Sequence, residues 1–381
     1  MRDVAALVLG GGPAGAAAAI ALAAGGTRAV VIERERETRD ALCGGFLSWR
    51  SLRTLAALGV TADELNRERI VRTRLFAGGR QAEARLPAPA VAVSRHRLDT
   101  LLIARAGQVA GIERGVAVRA VEDGQVRLAD GGTIAPDALF LATGKHDLRG
   151  LARPEAARGT DPALGLRVRL AAHPALDRLV GDAVELHLFA HGYAGIARQE
   201  DGSVNLCLAV GRSRLTAAGS PAALLDRLGR EHPALGERMA FMAGDAAIDA
   251  IANVPYGWRA RDGQAGLFRL GDQAGVIPSL AGEGMGIALA SGVAAAAAYR
   301  RGGGAAAAAW QAGFARALAR PLGVAGAVRR VAEGPAAAWL VGAAHPALIR
   351  IIAHATRIGA LTAPILGSGM LEGPGPANQM G

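Results

Sequence analysis

The sequence predicts a mixed α/β protein in which a parallel-sheet domain is interrupted by an antiparallel sheet and followed by a helical C-terminus. Three observations support this fold class. Near the start, over residues 4–33, two apolar runs flank a glycine-rich turn and an alanine-rich stretch. In the middle, residues 184–210 alternate apolar and polar side chains, as half-buried strands do. Toward the end, residues 305–360 are rich in alanine, the strongest helix former.

The first β-α-β unit is predicted from the order of its parts. The apolar run Val4–Leu9 predicts a strand that leads directly into the turn Gly10–Gly15. A helix over Ala16–Ala24 and a second strand, Ala29–Ile32, follow, and the strand ends on Glu33. This order is typical of a Rossmann-type dinucleotide site. The chain has 53 glycines, so a chance match is the alternative, but the strand, helix and acid argue against it.

Each part of this turn has its own role in such a site. Gly10 permits the tight turn, Gly12 lets backbone N–H groups approach a pyrophosphate, and Gly15 lets the helix pack against the strand. The helix N-terminus adds partial positive charge. The acid Glu33 suits a ribose with a free 2′-hydroxyl, which favours FAD or NAD over NADP. The predicted residues of this half of the site are Gly10, Gly12, Pro13, Ala14, Gly15, Glu33 and Arg34.

The remaining elements follow from periodicity and turn residues. Short strands are predicted within residues 73–94 and a helix over 96–109, and a buried strand at Ala138–Leu141 ends in Ala142-Thr143-Gly144. Residues Glu200–Ser203 have the composition of a hairpin turn. The later predicted elements are strands at 116–118, 126–128, 184–189, 193–197, 204–210 and 265–270, and helices at 221–243 and 283–300.

These elements predict three regions. The dinucleotide-binding domain is expected to be discontinuous, because the second sheet is inserted into it. Its predicted segments are residues 1–72, 95–160 and 258–310, the inserted substrate domain comprises 73–94 and 161–257, and 311–381 form a helical C-terminal region. The end of that region, Gly367–Gly381, is rich in glycine and proline and is predicted to be a mobile tail.

Two distant segments add a family resemblance. Leu270–Gly275 is again a strand that ends in a glycine and an acid, and the glycine-rich loop Pro278–Met285 follows it. Together with Cys43–Gly45 and Arg95–Asp99, these segments resemble the FAD-dependent oxidoreductases. That superfamily includes the p-hydroxybenzoate-hydroxylase-type monooxygenases, the geranylgeranyl-reductase-like flavoproteins and the flavin halogenases. The resemblance covers roughly residues 1–310.

The resemblance implies a Rossmann-type, glutathione-reductase-like FAD-binding domain with an inserted antiparallel substrate sheet. It implies that Asp272 accepts a hydrogen bond from a ribityl hydroxyl of FAD and that Arg95 reaches the cofactor. It also implies that the helix after Gly282 aims its N-terminus at the pyrimidine edge of the flavin. A solvated helix end is the alternative for Arg95, and plain packing is the alternative for Cys43. The residues that the resemblance adds are Cys43, Gly44, Arg95, Thr143, Gly144, Asp272, Gly282, Gly284 and Met285.

Several positions depart from the patterns of the separate branches. Thr143 stands where the hydroxylases carry the Asp of an Asp-Gly pair, and Gly286 stands where their loop ends in Asn. The prenyl reductases carry Tyr-x-Trp-x-Phe where this chain keeps only Tyr193. The Trp-x-Trp-x-Ile-Pro segment of the halogenases is absent, and Trp258 stands alone. The single lysine, Lys145, follows a cofactor strand and does not by itself support a halogenase.

Aromatic residues near the predicted domain junctions are the candidates for a substrate cavity, with packing at the junction as the alternative. His187 and His191 flank a strand end and are expected at the surface, because no partner spacing supports acid–base catalysis. No catalytic acid or base is therefore identified. The candidate cavity residues are Phe46, Tyr193, Tyr256, Trp258 and Pro278.

Composition limits the partners. No apolar stretch is long enough for a transmembrane span, and two cysteines are too few for a disulfide framework or a cysteine-built metal site. No signal peptide is expected before the first strand. A cytoplasmic location is expected. The net charge of +10 comes from scattered arginines without interleaved aromatics, which argues against nucleic acid. The helix near 346–360 is amphipathic; packing on the core is favoured over peripheral membrane contact.

The function expected from the residues and the resemblance is that of an FAD-dependent oxidoreductase. A monooxygenase that uses O2 on a small or lipophilic organic substrate is favoured, with NAD(P)H or a partner reductase as the electron donor. The alternatives are a reductase or dehydrogenase of an unsaturated substrate and a non-catalytic FAD-binding accessory protein.

Overall fold

Two β-sheets carry the fold of the computed structural model, which describes residues 2–359. The predicted mobile tail, Gly367–Gly381, lies outside the described residues. The strands are β1 (Arg2–Leu9), β2 (Val30–Glu33), β3 (Phe46–Leu47), β4 (Ile70–Ala77), β5 (Arg80–Ala92), β6 (Gly111–Arg114), β7 (Val118–Glu122), β8 (Gln125–Leu128), β9 (Thr133–Leu141), β10 (Ala163–Leu170), β11 (Ala183–Phe189), β12 (Gly192–Arg198), β13 (Val204–Gly211), β14 (Ile248–Val254) and β15 (Leu267–Arg269). The helices are α1 (Pro13–Ala24), α2 (Trp49–Ala57), α3 (Ala62–Leu65), α4 (Arg95–Gly107), α5 (Pro174–Val180), α6 (Arg212–Ala218), α7 (Pro221–Glu231), α8 (Pro233–Met239), α9 (Gly284–Gly302), α10 (Ala307–Ala332), α11 (Ala337–Ala343) and α12 (Pro346–Ala355).

The first sheet has the strand order β6-β2-β1-β9-β8-β7, with β15 beside β9. Strands β6, β2, β1, β9 and β15 run parallel, which confirms the predicted Rossmann-type domain. Helix α1 buries Ala16–Ala19 completely. A Cβ at Gly292 of α9 would collide with the Ala14 carbonyl oxygen, so the two helices approach closely. The alanine-rich sequence of α1 is therefore a packing surface for α9.

The second sheet has the order β14-β10-β13-β12-β11-β4-β5-β3. The predicted hairpin turn joins β12 and β13, which pair antiparallel, as β11 does with β12. One pair differs from the prediction, because β4 and β11 run parallel. These two strands come from segments separated by more than 100 residues, and such a pairing leaves no local signal. One face of the sheet packs against α5, α7 and α8.

Several element limits also differ from the prediction. The predicted helix over 221–243 is divided into α7 and α8 at His232, since the residue before Pro233 is disfavoured in the helical region. The strand predicted at 116–118 lies at Val118–Glu122, and β4 begins at Ile70, three residues before the predicted domain boundary. The three regions themselves remain a prediction.

The C-terminal region consists of α10, α11 and α12, as the alanine-rich sequence predicts. The apolar face predicted for the last helix, Leu348, Ile351, Ile352 and Ala355, is not buried: Leu348 and Ile351 are exposed and Ile352 and Ala355 are half-buried, whereas the buried residue is Ile349. Within residues 2–359, no single helix has the length and apolar composition needed to cross a bilayer. Only α11 and α12 together reach that composition, and the chain bends by 115° between them.

Candidate active site

A cavity of about 980 Å³ runs from the carboxyl ends of β1, β2, β9 and β15 to the second sheet and the C-terminal helices. Ligands of doubly wound sheets bind at this edge. Most of the predicted site residues meet in its wall, although they come from distant parts of the chain. The predicted residues that line it are Gly10, Gly12, Pro13, Ala14, Glu33, Arg34, Cys43, Gly44, Phe46, Arg95, Thr143, Gly144, Tyr193, Tyr256, Asp272, Gly282, Gly284 and Met285.

Three predicted residues are not part of this wall. Gly15 lies beneath the turn, where a Cβ would overlap the Gly10 carbonyl oxygen. Pro278 is buried next to the cavity loop, so its ring does not face the cavity. Trp258 packs with the apolar cluster around Val254 and lies 5.7 Å below the Arg153 guanidinium, so the turn places Tyr256 in the cavity and Trp258 away from it.

The glycine turn has the backbone geometry that the sequence predicts. Gly10 has φ +104°, and a Cβ there would lie 2.5 Å from the Ala142 carbonyl oxygen. Gly12 is the N-cap residue of α1, and because it has no side chain, no side-chain hydrogen bond caps the first helical turn. The carboxylate of Glu33 accepts a hydrogen bond of 2.7 Å from the Gly11 N–H. The helix terminus therefore faces the cavity with its N–H groups available to an anion.

Arg95 begins α4 directly beside this turn. Its guanidinium donates two hydrogen bonds to Asp99, of 2.9 and 2.7 Å. Burial opposes the charged form, but the Asp99 carboxylate outweighs it and raises the pKa of Arg95. A Cβ on Gly12 would lie 3.4 Å from Arg95 Nη2. Arg95 is thus a fixed, permanently charged group next to the helix terminus, not a solvated helix end.

At the other end of the cofactor region, Asp272 lies in a single 3-10 turn after β15. Its carboxylate is 3.4 Å from Lys145 Nζ. This carboxylate raises the pKa of Lys145, although burial opposes the charge. In the sequence Lys145 stands out only as the single lysine, directly after a predicted cofactor strand. Its pairing with Asp272 connects positions 127 residues apart, which sequence patterns do not show.

The loop before α9 is held by a buried ion pair. Glu283, the N-cap residue of α9, is fully buried and accepts hydrogen bonds from Arg357 Nη1 at 2.6 Å and from the Ser48 hydroxyl at 3.3 Å. Arg357 also donates to the Gly282 carbonyl at 3.0 Å. The segment after α12 is therefore bound to the cavity loop, a contact that no sequence pattern indicated.

Three hydroxyl groups form a cluster between the second sheet and the same loop. Ser279 Oγ contacts the hydroxyls of Tyr193 and Tyr256, the second at 2.7 Å. Burial raises the pKa of both phenols, that of Tyr193 well above its ordinary value. The Arg329 guanidinium lies 4.8 Å above the Tyr256 ring. This hydroxyl cluster can therefore donate hydrogen bonds at neutral pH, but it supplies no base.

The cavity fits a dinucleotide that carries a flavin. The uncapped N-terminus of α1 and Arg95 suit a pyrophosphate, and Glu33 suits a ribose. At Gly44 and Gly284, both in the wall, a Cβ would meet open space, so ring atoms can approach the backbone there. The fold and this site therefore suit FAD as the bound cofactor. In agreement, residues 3–149 match the model of the FAD binding domain family, which confirms the predicted cofactor FAD, whereas the individual site residues stay a prediction.

Solved structures of low sequence identity share the fold. PqsL from Pseudomonas aeruginosa, described as a probable FAD-dependent monooxygenase, is 19% identical over 90% of this chain and 100% of its own, with a TM-score of 0.70. A flavoprotein/dehydrogenase from Cytophaga hutchinsonii is 16% identical, with coverages of 93% and 92% and a TM-score of 0.77. A geranylgeranyl bacteriochlorophyll reductase-like protein from Thermoplasma acidophilum is 18% identical, with coverages of 94% and a TM-score of 0.67. No protein of curated function matches the sequence.

Proposed function

We propose that this chain is an FAD-dependent monooxygenase that transfers one oxygen atom from O2 to a small, largely apolar organic substrate. The observation that carries the proposal is the continuity of the cavity, whose cofactor end passes directly into a compartment walled by apolar side chains. Bound FAD supplies the electron storage and the reaction with O2. An apolar wall excludes water from such a reaction. Examples of the apolar wall are Leu186, Leu188, Leu280, Val328 and Ile352.

In this proposal the cofactor is held by groups at both ends of the cavity. The N-terminus of α1 and Arg95 bind the pyrophosphate, and Glu33 binds the adenosine ribose. Asp272 accepts a hydrogen bond from a ribityl hydroxyl, and Lys145 Nζ lies 3.4 Å from the same carboxylate. The open backbone at Gly284 lets the N-terminus of α9 face the flavin, where the helix dipole favours negative charge.

We expect Asp272→Ala to raise the dissociation constant of FAD about 10- to 100-fold, because a hydrogen bond to a charged acceptor is lost. Equilibrium dialysis of the apoprotein with FAD measures the effect. Asp137→Asn is the control, since Asp137 is an exposed residue of β9 that does not line the cavity. An Asp272→Ala protein with unchanged FAD affinity would remove the proposed role of this carboxylate.

At the substrate end, the hydroxyl cluster is proposed to orient the polar group of an otherwise apolar substrate. Neutral phenols suit this role, since both Tyr193 and Tyr256 keep their protons at neutral pH. A small molecule is also the kind of ligand seen in PqsL, which has been solved in complex with 2-aminobenzoylacetate.

The electron donor in this proposal is NAD(P)H or a partner reductase. A second cavity, of about 260 Å³, opens beside Lys145 and Arg158 and provides positive charge for the phosphates of such a donor. The proposed location is the cytoplasm, since Cys43 and Cys207 are both free thiols, as a reducing compartment favours.

The second candidate is a reductase or dehydrogenase of an unsaturated substrate. The same apolar wall favours it, and two proteins of the same fold are described as a dehydrogenase and a reductase-like protein. In this case FAD, held by the same residues, would supply hydride transfer in place of the reaction with O2, and O2 would not be consumed for product formation.

Reoxidation kinetics separate the two candidates. We expect dithionite-reduced holoenzyme, mixed with O2 in a stopped-flow instrument, to consume O2 before the spectrum of oxidised flavin returns. Leu186→Asn should shorten this delay by admitting water, whereas the apolar control Leu186→Met should preserve it. Return of the oxidised spectrum in a single phase, together with stoichiometric peroxide in all three proteins, would favour the reductase.

A further inference from the structure

The exposed large apolar side chains are concentrated at the C-terminal helices. Trp339 of α11 is 69% exposed, and Leu348 and Ile351 of α12 are 43% and 63% exposed. We call these three residues the α11–α12 face. Within residues 2–359, the large apolar side chains that are exposed are Val109, Val331, Trp339, Leu348 and Ile351. Only Val109 lies away from this part of the fold, and exposed large apolar side chains concentrated in one region often mark an interaction site.

The same two helices also close the cavity. Leu340 of α11 and Ile349 and Ile352 of α12 line it from inside. Leu348 lines the cavity and is also exposed to solvent, so it lies at the mouth. The α11–α12 face therefore adjoins the mouth of the apolar compartment. A molecule bound at this face can enter the cavity directly through that mouth.

The exposed charged side chains beside the face are mainly arginines. Arg330 and Arg350 are exposed, and Arg80 reaches Gly342 of α11. In the sequence no acidic residue occurs between Glu333 and Glu372, and the whole chain carries +10. An anionic surface is therefore the complementary partner. A second copy of this chain is disfavoured, because a two-fold contact would bring the same positive charges together.

We propose that the α11–α12 face docks on an anionic lipid bilayer and opens the mouth of the cavity to lipophilic molecules in it. Two short helices joined by a 115° bend cannot span the bilayer as one rod, but they can lie in its interface. Trp339 suits the level of the headgroups, where tryptophan is enriched, and the arginines contact anionic lipids. The docking deepens the proposed function by naming a lipophilic substrate class, but it does not depend on the reaction.

Vesicle flotation of the FAD-loaded full chain tests the docking without turnover. We expect the protein to float with vesicles of equal parts phosphatidylcholine and phosphatidylglycerol, and weakly with phosphatidylcholine alone. The double variant Trp339→Ser/Ile351→Ser should weaken binding about 100-fold, since two large apolar side chains no longer leave water. Arg350→Gln should weaken it about fivefold on the anionic vesicles.

Val109→Ser is the matched control, because Val109 is 41% exposed but lies outside the α11–α12 face, and it should float like the wild type. Flavin content and melting temperature, unchanged in every variant, establish that the fold is kept. Absence of flotation, or equal flotation of the double variant, would overturn the proposal. Sedimentation equilibrium provides a second criterion: a dimer that only the double variant dissociates would show that a second copy covers the face. Any of these results leaves the reoxidation kinetics, and so the proposed monooxygenase, untouched.

Discussion

Gly15→Ala is expected to lower the free energy of unfolding by about 2–3 kcal/mol and to weaken FAD retention at least about tenfold. The added Cβ would overlap the Gly10 carbonyl oxygen and lie 3.0 Å from Val8 Cγ1. Neither neighbour can yield easily, because one is backbone and the other belongs to a buried strand. Helix α1 must then move away from β1, and its N-terminus moves away from the position proposed for the pyrophosphate.

The same substitution at Gly323 is the control for Gly15→Ala. Gly323 lies inside α10, and a Cβ there meets nothing within 4 Å, so alanine should stabilise the helix by up to about 1 kcal/mol. Flavin absorbance per protein after desalting reports retention, and urea unfolding reports stability. Opposite signs for the two Gly→Ala variants are the expected result. A Gly15→Ala protein with full flavin content and an unchanged urea midpoint would contradict the close packing of α1.

The cofactor end of the site was predictable because its residues occur in short segments of the sequence with a recognisable order. A glycine turn between a strand and a helix, and a strand that ends in Gly271-Asp272, are short patterns with one geometric meaning. What the sequence could not show are the long-range pairs, such as Lys145 with Asp272 and Arg357 with Glu283. These pairs depend on how separate elements pack, and no spacing along the chain encodes that.

The end of the cavity proposed for the substrate was harder to predict from the sequence, for the same reason. Tyr256 and Trp258 are two residues apart in one turn, and only packing decides that the first lines the cavity and the second does not. His187 shows the limit most clearly. Its position at a strand end predicted a surface residue, but it is only 2% exposed. The prediction was wrong because the polar partner of His187, Glu185 of the same strand, is itself buried and held by arginines from other elements.

Those partners form an ion network on the face of β11 that points away from the cavity. Glu185 is fully buried and accepts hydrogen bonds from Arg238, of 3.0 Å at each oxygen, and from Arg74 at 2.6 Å. His187 Nε2 lies 3.2 Å from the same carboxylate, and the His187 ring stacks on Phe76. Side chains alternate between the two faces of a strand, so the network lies on one face of β11 while the other face supplies part of the cavity wall. The network therefore fixes the position of a strand that lines the cavity.

The charge state of the network follows from its surroundings. Burial opposes the ionised form of Glu185, but the hydrogen bonds from His187 and Arg238 outweigh it and lower the pKa of Glu185 to about 2. Burial also lowers the pKa of His187, which is therefore neutral at pH 7 and donates its ring N–H. Against an ordinary value of 4.5, a pKa of about 2 corresponds to about 3 kcal/mol of folding free energy.

Glu185→Gln should therefore lower the free energy of unfolding by about 3 kcal/mol at neutral pH, since Arg238 and Arg74 lose their shared carboxylate. The folded-state pKa lies below the unfolded one, so the contribution of Glu185 is complete above about pH 4.5 and is lost as the pH falls toward 2. Urea midpoints of the wild type and the variant should accordingly differ most at neutral pH and converge in acid.

Glu83→Gln is the control, because Glu83 also pairs with Arg74 but its side chain is 34% exposed, and the substitution should lower the free energy of unfolding by less than about 1 kcal/mol. If the urea midpoints of the wild type and of Glu185→Gln differ by the same amount from neutral pH down to about pH 3, the buried charge of Glu185 does not stabilise this sheet.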